Sequence, residues 1–131
     1  MVYLGCGLKQ LNFVGSSLRD LRHFPEEVKD DMGYALHQAQ EGKMLAAAKP
    51  LAGFGGAGIL EIMDDFDGNT YRAAYTVKFK QVIYVLHCFQ KKSKQGIKTP
   101  QREIELIRQR LKMAEADYVE NYEKGENENK R

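Results

Sequence analysis

Arg72, His87 and the lysines at 91, 92, 94 and 98 are the side chains of this sequence whose types and spacing suit phosphodiester chemistry. Arg72 falls in the middle of an alternating stretch, on the face opposite Tyr71 and Tyr75. A guanidinium placed there can grip a phosphate through two parallel hydrogen bonds and stabilise charge growing on its non-bridging oxygens. His87 titrates near neutrality and can act as general acid or base, and Phe89, two residues further on, can stack on a base. Lys91, Lys92, Lys94 and Lys98 follow the end of the same strand and can neutralise successive phosphates. Each residue also has a plain structural reading: an arginine on a solvated sheet face, a satisfied core histidine, a solvated charge run. The chemical reading gains weight because one sheet delivers them all to one neighbourhood. Tyr71 suits core or cross-strand packing, and its hydroxyl beside Arg72 can also move a proton or touch a polynucleotide.

Other motifs carry less. The glycines between 53 and 58 superficially suggest a phosphate loop, but no Gly-Lys-Ser/Thr ending follows and no helix starts behind them. Asp64, Asp65 and Asp67 surround a turn and lack the further oxygen ligands of a calcium loop. His23 and His37 have no supporting carboxylate or cysteine spacing, so no metal and no cofactor is expected.

These residues need a scaffold. Residues 8–14 read as a short first strand ending at Gly15, and Ser17 as the N-cap of a short helix carrying Leu18, Leu21 and Phe24. Pro25 opens a second helix with Glu26 and Glu27 near its positive end, a stripe at Val28, Met32, Ala35 or Leu36, and Ala39, and Gly42 as its C-terminal cap. The two helices form a hairpin. Residues 44–58 read as a glycine-rich connecting loop. Three antiparallel strands follow: 59–63, then one opened by the turn at Asp67 and Gly68, then 82–89, whose continuous apolar character makes it central. On the middle strand Tyr71, Ala73, Tyr75, Val77 and Phe79 share one face, and Arg72, Ala74, Thr76 and Lys78 the other. Thr99 as cap and Pro100 as first residue start a final helix, with Ile104, Ile107, Leu111, Ala114 and Tyr118 against the sheet and Arg102, Glu105, Gln109 and Lys112 outside. The order gives a compact α+β domain over 1–119.

Composition agrees. At 131 residues the chain can bury one core without disulfides or a structural metal. The net charge is only +2, yet residues 91–112 hold eight basic and two acidic side chains, which points to an anionic partner at one face. Cys6 and Cys88 show no metal-ligand spacing and read as reduced thiols. No apolar run reaches the length of a membrane span, and the expected location is cytoplasmic. Residues 120–131 are polar and charged and read as a disordered tail.

The chain resembles the RelE/HigB toxins of bacterial type II toxin–antitoxin pairs, in the RelE/ParE superfamily, and in particular their phage-derived HigB-like branch. The resemblance runs over residues 9–118. It is carried by residues 15–28, by Lys49 to Gly53, by Leu60 to Ile62, by Thr70 to Arg72, by Leu86 to Lys94, the most specific block, and by Thr99 with Pro100. It implies a RelE-like fold and a ribosome-dependent mRNA endonuclease, or mRNA interferase. It further implies a cognate helix-turn-helix antitoxin as partner, and no metal: the 2′-hydroxyl attacks the adjacent phosphate with basic and aromatic side chains assisting. Carried over by position, Arg72 matches the arginine on the scissile phosphate, Lys49 a basic residue before the second strand, and His87 with Lys91, Lys92 and Lys94 the polar set at the last strand's end. The implied catalytic set is Arg72, His87, Lys91 and Lys92. Lys49, Tyr71, Phe89, Lys94 and Lys98 would bind RNA. Many relatives carry arginine where Met63 stands here.

Two other classes stay open on the same residues: a non-catalytic module that holds nucleic acid or a partner on its basic sheet edge, and a phage-derived remnant that keeps the fold without the activity.

Overall fold

The computed structural model describes residues 8–56, 58–91 and 99–123. Among the described residues five strands form one sheet: β1 (Gln10–Phe13), β2 (Ala48–Pro50), β3 (Ile59–Phe66), β4 (Asn69–Thr76) and β5 (Val82–Lys91). Helices α1 (Ser17–Arg22) and α2 (Glu26–Gln40) follow β1, and α3 (Gln101–Tyr118) continues into a π-helical turn, Val119–Glu123. The strand order is β1-β5-β4-β3-β2, with β1 parallel to β5 and every other pair antiparallel. The central position expected for β5 holds: all of Val82 to Phe89 is buried.

The sheet separates two cores. On one side Val28, Met32, Leu36 and Ala39 of α2 pack with Leu21 and Phe24 against Ile62, Tyr71, Ala73, Tyr75, Ile83 and Val85. On the other, Ile104, Ile107, Leu111, Ala114 and Tyr118 of α3 pack against Ile59, Ala74, Tyr84, Leu86 and Phe89. Both helical stripes therefore lie where the spacing of apolar residues puts them.

Several local expectations change. The glycine-rich segment contains β2, whose Lys49 pairs with Glu61 in register; its proline is tolerated because β2 lies at the sheet edge. The strand β4 stops at Thr76, and Phe79 returns to the α3 side, against Tyr84 and Tyr118, rather than sharing the face of Tyr71. Ser17 is not a cap: it is the buried first residue of α1, and its hydroxyl donates to the Val85 carbonyl at 3.0 Å. The α3 cap is Pro100, and the Thr99 hydroxyl is turned inward. Residues 120–123, read as part of a tail, are helical, and the Tyr122 ring stacks on Tyr118 with centroids 5.2 Å apart. Residues 124–131 and Met1 to Gly7, with Cys6, lie outside the described residues.

Candidate functional site

A single bulge decides which residues meet. In the β4–β5 ladder Ala74 pairs with His87 but Tyr75 pairs with Val85, leaving Leu86 without a partner. Side chains alternate strictly along a strand, so strict pairing would have sent His87 to the α2 side. The extra residue puts His87 and Phe89 on the α3 side with Leu86. Arg72 sits opposite Phe89, and Thr70 opposite Lys91. Across β3, Glu61 pairs with Ala74 and with Lys49, so both join the same face. Lys49, Glu61, Arg72, His87, Phe89 and Lys91 thus share the surface on which α3 begins.

The Arg72 guanidinium is not open to solvent: the residue is 2% exposed. Its Nη1 donates to Glu61 Oε1 at 3.1 Å and to Thr99 Oγ1 at 3.1 Å. The Thr99 hydroxyl in turn donates to Glu61 Oε2 at 2.9 Å, closing a triangle of carboxylate, guanidinium and hydroxyl. Arg72 Nε is buried without a hydrogen-bond partner. The expected arginine on an open strand face is therefore replaced by one paired with the protein's own carboxylate, because burial of a charge demands a counter-charge.

Above the triangle lies a cleft of about 480 Å³, lined by Lys49, Leu51, Glu61, Met63, Thr99 and Arg108 among others. Lys49 is exposed at the edge strand. Arg108 crosses the far side, with its guanidinium 4.8 Å from the Phe54 ring centroid and Nη2 donating to the Gly53 carbonyl at 3.1 Å. Two cations thus flank an acidic, hydrogen-bonded floor.

On the β5 side, His87 is held from two directions by α3. Nε2 lies 3.3 Å from Glu103 Oε1 and Nδ1 lies 3.3 Å from Arg110 Nη1. The Phe89 ring stacks on the imidazole at 4.7 Å and 16°, so one of its faces is already covered. Burial lowers the His87 pKa below its ordinary value, Glu103 opposes that, and the Arg110 charge adds to it. Lys91 is lowered by desolvation and by the neighbouring Arg72 charge, with Glu61 opposing.

Tyr71 is not part of this face. It points to the α2 side of the sheet, edge-on to Phe24 with centroids 4.9 Å apart. Lys92, Lys94 and Lys98 lie outside the described residues. Glu61, Thr99, Glu103, Arg108 and Arg110 were not singled out by sequence. Thr99, a threonine before a proline, has the sequence context of a helix cap, and Arg108 and Arg110 belong to the basic stretch 91–112. Burial drives the Cys88 thiol up to about 12, which keeps it an inert core group. No group of three metal-ligating side chains occurs among the described residues, and no described helix is long and apolar enough to cross a membrane.

A family model described as phage derived protein Gp49-like (DUF891) matches residues 19–112. No curated protein matches the chain. Among solved structures, the E. coli toxin RelE, a double mutant in the free state, is similar at 18% identity, over 81% of this chain and 97% of that one, with a TM-score of 0.53. The toxin–antitoxin complex RelBE2 from Mycobacterium tuberculosis is 18% identical, over 66% of this chain and 94% of that one, with a TM-score of 0.46. The first of these likenesses is one of fold.

Proposed function

The chain belongs to the phage-derived Gp49-like family, and from that premise we propose that it is the toxin of a type II toxin–antitoxin pair, of the HigB-like branch, acting in the cytoplasm as a ribosome-dependent mRNA endonuclease. Its cognate partner would be a helix-turn-helix antitoxin, and its chemistry would need neither metal nor cofactor. The RelE-like fold supports this reading. The observation that carries it is the gathering of Lys49, Arg72, His87 and Lys91, with Glu61 and Glu103, on the one sheet face where α3 begins.

In this reading Lys49 and Arg108 hold the phosphates of a single strand across the cleft; Lys92, Lys94 and Lys98, outside the described residues, enter it only as the basic run of the sequence. Phosphate contacts fix the register of the strand, and pre-placed cations stabilise charge that grows on the scissile phosphate. The 2′-oxygen attacks phosphorus in line, and a proton must leave it. The His87–Glu103 couple supplies the proton acceptor. Arg72 acts from beneath, holding Glu61 and Thr99 in place; it reaches the phosphate directly only where the anion takes the position of the Glu61 carboxylate.

A second reading rests on that same pair. Because Arg72 is engaged by Glu61, a non-catalytic module or an inactive remnant would keep the cleft as a binding surface only. Induced expression of the chain in bacteria separates the two. The enzyme reading expects growth arrest, relieved by co-expression of a neighbouring helix-turn-helix gene. Normal growth with abundant folded protein would favour the module.

A further inference from the structure

A guanidinium can only donate hydrogen bonds, so where Arg110 meets His87 it decides which ring nitrogen is bare. Arg110 is itself anchored: Nη1 also donates to the Leu86 carbonyl at 2.9 Å, and Nη2 donates to Ser16 Oγ at 3.0 Å, whose hydroxyl donates to Asp20 Oδ2 at 2.8 Å. With Arg110 Nη1 3.3 Å from Nδ1, that nitrogen presents its lone pair. The single proton of the neutral ring then sits on Nε2 and is donated to Glu103 Oε1 at 3.3 Å.

We propose that Arg110 is a positioning residue that holds the His87 imidazole neutral with its proton on Nε2, so that the Glu103 carboxylate, not the imidazole, takes the proton from the RNA 2′-hydroxyl. This rests on the mRNA-cleaving reading above. Exposure points the same way, since the His87 side chain is 8% and that of Glu103 21% accessible. A second proton on Nδ1 would set an N–H of a charged ring against the guanidinium N–H, a like-charge contact in a buried site. The charged groups that act on His87 are Glu103 and Arg110 from α3 and Asp20 from α1, and Phe89 stacks on the ring from its own strand. In the step itself Glu103 accepts the hydroxyl proton and the 2′-oxygen bonds to phosphorus. The bond to the 5′-oxygen breaks, water protonates the departing oxygen, and Glu103 returns its proton to solvent. The products are a 2′,3′-cyclic phosphate and a 5′-hydroxyl.

Nitrogen NMR of the histidine-labelled protein without RNA tests the assignment independently of any activity. Wild type is expected to show a bare Nδ1 and a protonated Nε2 at neutral pH. Arg110→Lys, which can still donate to Nδ1, is expected to keep that state, and Arg110→Met to mix the tautomers and titrate at higher pH. A protonated Nδ1 in wild type, or an Arg110→Met ring identical to it, would overturn the proposal. Against a wild type that cleaves mRNA, Glu103→Gln is expected to lose about 100-fold in rate; undiminished cleavage would remove Glu103 as the base. A wild type with the expected tautomer and no cleavage would instead count against the endonuclease reading.

Discussion

Arg72 and Glu61 form a diagonal pair across β4 and β3: Arg72 is in register with Met63 and Glu61 with Ala74, yet Nη1 reaches Oε1 at 3.1 Å inside the protein. Removing one member leaves the other as an uncompensated buried charge. Arg72→Ala is expected to cost about 3–5 kcal/mol of stability, and the double change Arg72→Met with Glu61→Leu to recover most of it. Urea unfolding of the three proteins checks this; a single-mutant loss under about 1 kcal/mol would mean the pair is solvated.

Lys49 and Arg108 separate binding from folding. Lys49 is exposed, so Lys49→Ala should change stability by less than about 0.5 kcal/mol. Arg108→Ala should cost roughly 1 kcal/mol through its lost contact with Phe54. Each should weaken single-stranded RNA binding and lower the salt dependence of log Kd by about one unit or less. Titrations at three salt concentrations measure it.

Gly15 lies at φ +58°, and a Cβ there would meet Arg110 Nε at 2.8 Å. Gly15→Ala should therefore cost about 1–2 kcal/mol from the left-handed backbone alone and also displace Arg110 from Ser16 and His87. Thermal unfolding together with the His87 ring signals reads both effects; an unshifted histidine would show that Arg110 is held elsewhere.

Two titratable groups, the half-buried Asp64 and the buried His87, act on stability in opposite directions with pH. Asp64 is raised to about 6, first by burial and then by its hydrogen bond and charge contact with Asp31. A raised carboxyl favours the fold at low pH, and that contribution disappears as pH climbs through 6. Asp64→Asn should thus leave stability at pH 4 nearly unchanged and add about 1 kcal/mol at pH 7.5. His87 is lowered by burial, so its contribution is present above its ordinary value near 6.5 and fades as pH falls below it. His87→Gln should flatten that acid limb, measured as melting temperature against pH.

Much of this architecture was legible from local pattern. The stripe from Ile104 to Tyr118 and the alternation of Tyr71, Arg72, Ala73 and Ala74 follow from periods of 3.6 and 2, which each segment carries by itself. What stayed hidden depends on pairing between distant segments. The bulge at Leu86 that turns His87 towards α3 is a property of two strands in register. Lys49 enters a strand only because β3 offers an edge. Glu61 reads as an ordinary strand residue until its diagonal neighbour is known, and Thr99 looks like a cap because its sequence context, a threonine before a proline, is the same in both roles.

The most direct test is primer extension on a defined mRNA in a cell-free translation reaction with the purified, folded protein. The expected result is new 5′ ends in the coding region that require active translation and vanish with Lys49→Ala combined with Arg108→Ala. Intact mRNA in the presence of folded wild-type protein would contradict the endonuclease reading.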